Sequence, residues 1–244
     1  MSLTLATPAL VLHTTQYAET SIIAKIFTRQ LGVRSYILKG VRRCGGRTKQ
    51  NLLQPLSHLD LVVYDNPKAK INYLKEVSPH AGAPVPAPGD AACGAVCNAL
   101  RFFMTELLYK TLREEEPMPE LFDYVVSSAR FGEGDSDLSH RPILFLLTVA
   151  RHMGIEPLDN YSRQEPLFDM QDGRYCHGGD CTLDSDLSLL LHHYLQAANE
   201  GAALPAVPLR QRTELIDRML DYFQRHLATF RDFKSHEILH TILH

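Results

Sequence analysis

A cluster of cationic side chains lies between Arg34 and Lys49, in the stretch RSYILKGVRRCGGRTK. An apolar, strand-like run turns here into a glycine-rich segment that carries guanidinium and ammonium groups. Such groups on a flexible loop bind phosphate oxygens through charge and through hydrogen bonds. The candidate DNA-binding side chains are Arg34, Lys39, Arg42, Arg43, Arg47 and Lys49. The alternative is a solvated loop whose charge serves only solubility.

The positive charge of this stretch is local, because the protein as a whole is mildly acidic. The 244 residues carry a formal net charge of −3. Residues 1–80 contain 11 Lys and Arg against 4 Asp and Glu, a balance of +7, whereas the remaining residues contain 14 against 24, a balance of −10. This asymmetry indicates two surfaces with different partners.

Three tyrosines near the cationic stretch, Tyr36, Tyr64 and Tyr73, have side chains that can stack on unpaired bases. Stacking of this kind contributes about 1–3 kcal/mol per base. Packing in a core or across strands accounts for each tyrosine equally well.

The five cysteines are unevenly spaced and do not resemble a disulfide framework. Cys93 and Cys97 lie four apart on a predicted helix, where free cysteines act as small core residues. Cys176, His177 and Cys181 are close enough for a metal site, but a structural zinc site needs four donors and none precedes them nearby. We therefore predict no metal and no other cofactor.

The histidines and the known catalytic motifs give no enzyme site. His192 and His193 are adjacent and would point in different directions on a helix, whereas His236, His240 and His244 recur every four residues. No GxxxxGK[ST] or GxSxG pattern occurs. His236-Glu237-x-x-His240 does have the HExxH spacing, but it lies in the last short predicted helix, whose terminal turn is expected to fray, so a polar helix face is the favoured interpretation. We predict that the protein is not an enzyme.

The residues up to 80 show the pattern of a small barrel. Five runs rich in β-branched and aromatic residues, separated by turn signals such as Gly32, predict strands over 9–15, 21–29, 33–40, 56–64 and 71–77. In the fourth run Leu59, Leu61 and Val63 alternate with other residues, so that one side can face a core. Closure of the sheet would protect its edges, and a five-stranded OB-fold barrel is the expected form.

The rest of the chain has helical periodicity after a Pro-rich segment. The prolines of that segment exclude a helix interior or a central strand. The prediction is an α+β multidomain protein with an OB-fold domain over 1–80, a linker over 81–91 and an all-helical domain over 92–244 that contains an irregular region, 155–186. Predicted helices surround Leu100, Val125, Leu146, Leu191 and Met219, and a last short helix begins near residue 235.

No segment of the sequence has the form of a membrane span or a secretion signal. No apolar run approaches the roughly 20 residues that cross a bilayer, and the N-terminus lacks a basic segment followed by an apolar stretch. We expect a cytoplasmic protein with reduced thiols and no membrane partner.

The run from PALVLHTTQYAETSIIAKIFTRQLGVRSYILKGVRR through LLQPLSHLDLVVY resembles the RecO family of recombination mediators. The matching features are the VLHT strand, Tyr17-x-Glu19-x-Ser21, Phe27-Thr28 with Gly32 after it, Lys39-Gly40 followed by arginines, and Gln54-Pro55. The C-terminal part is similar more loosely, through Tyr222-Phe223, His226-Leu227 and Phe233-Lys234-Ser235.

This resemblance implies an OB fold that binds single- and double-stranded DNA, followed by a helical domain. It implies strand annealing, and work with RecR to load the RecA recombinase onto DNA coated by the single-strand-binding protein, SSB, whose acidic C-terminal tail meets the helical domain. It also implies a place at the nucleoid.

Many members of that family carry a four-cysteine zinc motif in the helical domain. Here Cys176 alone falls near a matching position, while Tyr161, Gln164 and Gly179 stand near the others. The resemblance therefore implies a degenerate zinc motif in 155–186.

Two other functions fit the residues less fully. One is an adaptor that binds acidic peptide tails without contacting DNA. The other is a metal-dependent hydrolase that uses the histidines, which would require near-stoichiometric metal.

Overall fold

The structure is a computed structural model that describes residues 3–39, 52–65, 69, 71–81, 94–131 and 138–243. The chain divides into two compact units, Met1–Gly134 and Asp135–His244.

Five strands of the first unit close into a barrel. They are β1 (Leu3–Gln16), β2 (Ile22–Thr28), β3 (Gly32–Leu38), β4 (His58–Asp65) and β5 (Asn72–Pro79). Their order is β1-β2-β3-β5-β4, and β1 closes the barrel by pairing with β4. All pairs are antiparallel except β3 with β5, which run parallel where Ile37 lies opposite Tyr73. The predicted five-stranded OB-fold barrel is confirmed.

The first strand begins earlier than the sequence pattern predicts. Residues from Leu3 onward pair with β4, and pairing with β2 starts only at Ala9. Pro8 obscures this extension in the sequence because proline cannot donate a ladder hydrogen bond. One long strand thereby serves both neighbours, which is what allows the sheet to close.

The barrel core consists of the inward-facing residues of all five strands. Leu59, Leu61 and Val63 are buried, which confirms the alternation predicted for β4. Tyr36 and Leu38 contribute from β3, and residues such as Val11 and Ile26 contribute from β1 and β2.

Two helices, α1 (Ala95–Thr111) and α2 (Pro119–Ser128), belong to the same compact unit as the barrel. The helix predicted around Leu100 is confirmed as α1, which buries Leu100, Phe103 and Leu107 on one face. The connection between the helices runs along β3, since the amide of Glu115 donates to the carbonyl of Val33 at 3.0 Å.

Two further contacts fix this connection and α2 on the barrel. The Arg29 guanidinium donates two hydrogen bonds of 2.9 Å to the Asp123 carboxylate. Gly32 has φ +67°, and a Cβ placed there would lie 2.3 Å from the carbonyl oxygen of Glu116. Only glycine permits this approach without displacing the backbone.

The domain limits predicted from the sequence, 1–80 and 92–244, stay a prediction. The proposed linker lies outside the described residues beyond Ala81. The division between compact units falls later in the chain, because α1 and α2 pack with the barrel.

The second unit contains the remaining helices and one short hairpin. The elements are α3 (Arg141–His152), β6 (Leu167–Asp169), β7 (Arg174–Cys176), α4 (Ser185–Glu200), α5 (Leu209–His226) and α6 (Ser235–Leu243). The antiparallel pair β6–β7 lies within the region that the sequence pattern left irregular. Within the described part of the chain, no helix has the length and apolar character needed to cross a membrane.

Candidate nucleic-acid interface

Lys39 and Tyr73 meet on the outside of the barrel. Lys39 follows the last residue of β3 and is exposed. Tyr73 lies on β5 opposite Ile37, and 52% of its surface is exposed. The Lys39 ammonium stands 5.0 Å from the centre of the Tyr73 ring, within the range of a cation–π contact. Parallel pairing of β3 with β5 is what brings these two residues together.

The two residues line a groove of about 500 Å³ along β5. This volume lies within the range of about 300–1,000 Å³ that is typical of ligand-binding clefts. Leu74 and Val77 contribute apolar surface, and both pack on the barrel core. Lys75 and Glu76 add one charge of each sign. With Lys39 the groove carries a net positive charge.

A bulge in β5 explains why Lys75 and Glu76 are both exposed. Val63 pairs with Leu74 and Val62 pairs with Glu76, so Lys75 is the extra residue between them. Bulges commonly redirect side chains at sites of function. Tyr73, Lys75 and Glu76 consequently all reach the outer surface.

Arg34 does not share this surface. It lies on the same side of β3 as Tyr36 and Leu38, because side chains two apart on a strand face the same way. Its side chain is 9% exposed and interacts within the protein. The structure buries Arg34, which is not among the residues that line the groove, and its assignment to DNA binding stays a prediction from the sequence.

The remaining predicted DNA-binding residues lie outside the described part of the chain. They are Arg42, Arg43, Arg47 and Lys49. Their assignment stays a prediction from the sequence.

Two other cations of the barrel are held in ion pairs. Lys25 lies 3.4 Å from Glu114 and also stands over the ring of Tyr109. Arg29 is bound to Asp123, and the hydrogen bonds from Arg29 lower the pKa of that carboxyl. These residues secure α1, α2 and their connection, whereas Lys39 and Lys75 face the groove.

The three candidate stacking tyrosines have different environments. Tyr36 is buried in the barrel core, which confirms packing as its role. Tyr64 is 42% exposed on β4 and is not among the residues that line the groove. Tyr73 combines exposure, a groove and a neighbouring cation.

The second unit has a smaller cavity of about 200 Å³ with balanced charge. Asp180 and Asp184 line it together with Arg218 and Arg225. Two carboxylates offset two guanidinium groups, so the cavity has no electrostatic preference for an acidic peptide over a basic one.

An aromatic and polar cluster occupies residues 155–186, the region where the family resemblance implies a degenerate zinc motif. Tyr161 stacks on His192 with ring centres 4.5 Å apart, and the His192 Nδ1 lies 2.6 Å from the Asp159 carboxylate. The amide of Tyr175 donates to Asn160 at 2.8 Å. Across 3–39, 52–65, 69, 71–81, 94–131 and 138–243, no three His, Cys, Asp or Glu residues group as a metal site. Hydrogen bonds and ring contacts hold this hairpin.

The histidines of the last helix face α5. His240 Nε2 lies 3.4 Å from Asp217, and the His236 and His240 rings are 5.5 Å apart. Burial raises the pKa of Asp217. The spacing that suggested a polar helix face thus also makes a helix contact.

The sequence did not identify Lys75 as a site residue, and it did not predict that Lys39, Tyr73 and Lys75 line one groove. Lys39 and Tyr73 were each identified, but their proximity depends on a pairing between strands that are distant in the chain. The exposure of both Lys75 and Glu76 depends on the bulge, which leaves no clear sequence signal. A basic residue two positions after an exposed aromatic was the available hint.

The fold and this groove define an OB-fold protein with a mainly helical second unit. Residues 1–83 match the family model described as "Recombination protein O N terminal" (RecO_N). The chain is similar to proteins named "DNA repair protein RecO" from Christiangramia forsetii (27% identical, 97% of this chain and 98% of the relative), Phocaeicola vulgatus (28%, 96% and 96%) and Porphyromonas gingivalis (26%, 96% and 97%). These matches confirm the resemblance of the chain to the RecO family.

Proposed function

We propose that the chain acts in DNA repair and recombination by binding single- and double-stranded DNA and annealing complementary strands. The observation that carries this proposal is the groove on the barrel, where Lys39 and Lys75 flank an exposed tyrosine. The excess of cations in residues 1–80 and the names of the relatives support it.

The physical basis of annealing is charge screening. Two complementary strands repel each other because each is a line of phosphates. Lysine and arginine side chains on one surface replace counterions along both strands and release them to solvent, which favours binding. The strands can then approach and test base pairing. This activity requires no bond-making group in the protein, so we propose a non-catalytic role.

The partners of the proposed pathway follow from the family resemblance. With RecR, the protein would help to load RecA onto DNA coated by SSB. The acidic C-terminal tail of SSB would bind the second unit.

A salt titration of DNA binding tests the proposal. The full chain would be titrated with oligothymidylate at several salt concentrations. If roughly four phosphates are neutralised, the plot of log K against log salt should have a slope of about −3, since each contact contributes about −0.7 on single strands. Arg42→Glu/Arg43→Glu should weaken binding and make the slope less steep.

A charge-matched variant of the second unit controls for net charge. Arg163→Glu/Arg174→Glu changes two exposed arginines and should lose much less affinity. A flat salt plot, or wild-type affinity in Arg42→Glu/Arg43→Glu, would contradict the proposal. Annealing of complementary oligonucleotides with and without SSB then tests the mediator role.

A further inference from the structure

The groove beside Tyr73 has the features of a site for one unpaired base. The tyrosine ring is more than half exposed, although large aromatic side chains usually bury their faces. The Lys39 ammonium stands over the ring 5.0 Å from its centre, so that side of the ring is covered by a flexible side chain and not by the barrel core. A nucleobase can use such a face, because stacking on an aromatic side chain needs no particular base identity.

The platform is fixed by the sheet. The backbone at Tyr73 is paired with Ile37 of β3, and the next residue, Leu74, is paired with Val63 of β4. Leu74 also packs against the core. A backbone held in this way loses little conformational freedom when a ligand binds, which favours affinity.

The charges of the groove suit a phosphate backbone beside the base. Lys39 and Lys75 outnumber Glu76, and both ammonium groups are on exposed side chains. When a base occupies the ring, the flexible Lys39 side chain can move from the ring to a phosphate. Stacking and charge would then act on the same nucleotide.

We propose that the β3–β5 groove binds single-stranded DNA by stacking one unpaired base on Tyr73, with Lys39 and Lys75 contacting the adjacent phosphates. This proposal rests on the proposed function, since it assigns the place where that function distinguishes single strands. The bases of a duplex are already stacked on one another, so the platform selects unpaired DNA.

Variants of Tyr73 in the full chain test the proposal. The probes are an oligothymidylate that carries one 2-aminopurine, and a fully paired duplex of the same length. Tyr73→Ala should weaken single-strand binding about 5- to 160-fold, the equivalent of one lost base stack of about 1–3 kcal/mol. Tyr73→Phe keeps the ring and should bind like wild type. Duplex affinity should be unchanged in both variants.

Fluorescence gives a second measurement that charge alone would not change. Stacking on the ring should quench 2-aminopurine in wild type and in Tyr73→Phe but not in Tyr73→Ala. The matched control is Tyr64→Ala, which removes an exposed tyrosine of β4 outside the groove and should bind both DNAs like wild type.

The possible outcomes distinguish a wrong assignment of the groove from a wrong assignment of DNA binding to the protein. If wild type binds DNA with the expected salt slope and Tyr73→Ala binds single strands equally well, the groove assignment is wrong and DNA binding stands. Equal losses for single strands and duplex, or equal losses in Tyr64→Ala, also overturn it. If wild type binds no DNA, both proposals fail.

Discussion

Each unit of the protein has a cluster of aromatic and ionisable side chains. The two clusters differ in burial and in whether their polar groups have hydrogen-bond partners. In the second unit, His192 lies 2.6 Å from Asp159, and Tyr161 covers its ring. Tyr175, also in this cluster, is 1% exposed, and its hydroxyl donates to the carbonyl of Ser188 at 3.0 Å. In the first unit, Tyr73 and Lys39 meet in an open groove.

The difference separates a structural cluster from a candidate binding surface. Buried polar groups that have found partners specify one arrangement of the chain and are costly to disturb. An exposed ring with a lysine beside it contributes little to folding and is accessible to a ligand. The cluster around His192 is therefore held by side-chain contacts, while the groove beside Tyr73 is the candidate surface for a ligand.

The largest effect on stability is expected from a substitution that disrupts the buried cluster of the second unit. Tyr175→Ala should lower the free energy of unfolding by about 3–5 kcal/mol, because it leaves a cavity and removes the hydrogen bond to Ser188. Tyr73→Ala, the matched change in the groove, should alter it by less than about 0.5 kcal/mol. Urea denaturation of both variants measures this contrast. Similar losses would show that Tyr73 is also a structural residue.

An intermediate effect is expected at His58, a less satisfied histidine of the first unit. Its ring stacks on His80 at 4.0 Å, and its Nε2 has no hydrogen-bond partner within the described residues. Burial, followed by the charge of His80, lowers the pKa of His58 to about 4, while Asp60 opposes this shift and Arg130 adds to it. The folded protein therefore favours the neutral ring.

The sign of the pH dependence follows directly. A histidine whose pKa falls on folding contributes stability above its unfolded pKa of about 6.5, and that stability is lost as the pH falls towards 4. Because the ring is partly exposed, we discount the shift to about 1–2 kcal/mol. Denaturation of wild type and His58→Gln between pH 7 and 4.5 should show a shallower decline in the variant. Parallel curves would exclude His58 as the cause.

Local patterns predicted most of this fold, and distant pairings account for what they missed. The alternation of Leu59, Leu61 and Val63 and the helical spacing of Leu100 and Phe103 depend on neighbours in sequence, so they were readable. The same alternation, applied to β3, would have placed Arg34 with Tyr36 on the buried side. Charge alone had grouped it with Lys39.

The groove could not be predicted completely from the sequence because it depends on tertiary structure. Parallel pairing of β3 with β5 brings Tyr73 to Lys39, and the bulge in β5 exposes Glu76 together with Lys75. Neither event has a local sequence signature. The early start of β1 was missed for a related reason, since its first residues have only β4 as a partner.

The smallest expected effect tests which cations of the barrel are available to DNA. Lys39→Gln should make the slope of log K against log salt less steep by about 0.7 on single strands, because one phosphate contact is lost. Arg29→Gln removes the same charge, but Arg29 is bound through two hydrogen bonds to Asp123 and should leave the slope unchanged. Titration of one oligothymidylate with both variants compares them at equal net charge. If both variants change the slope alike, the protein attracts DNA through its overall charge, and the distinction between the groove and the ion-paired surface fails.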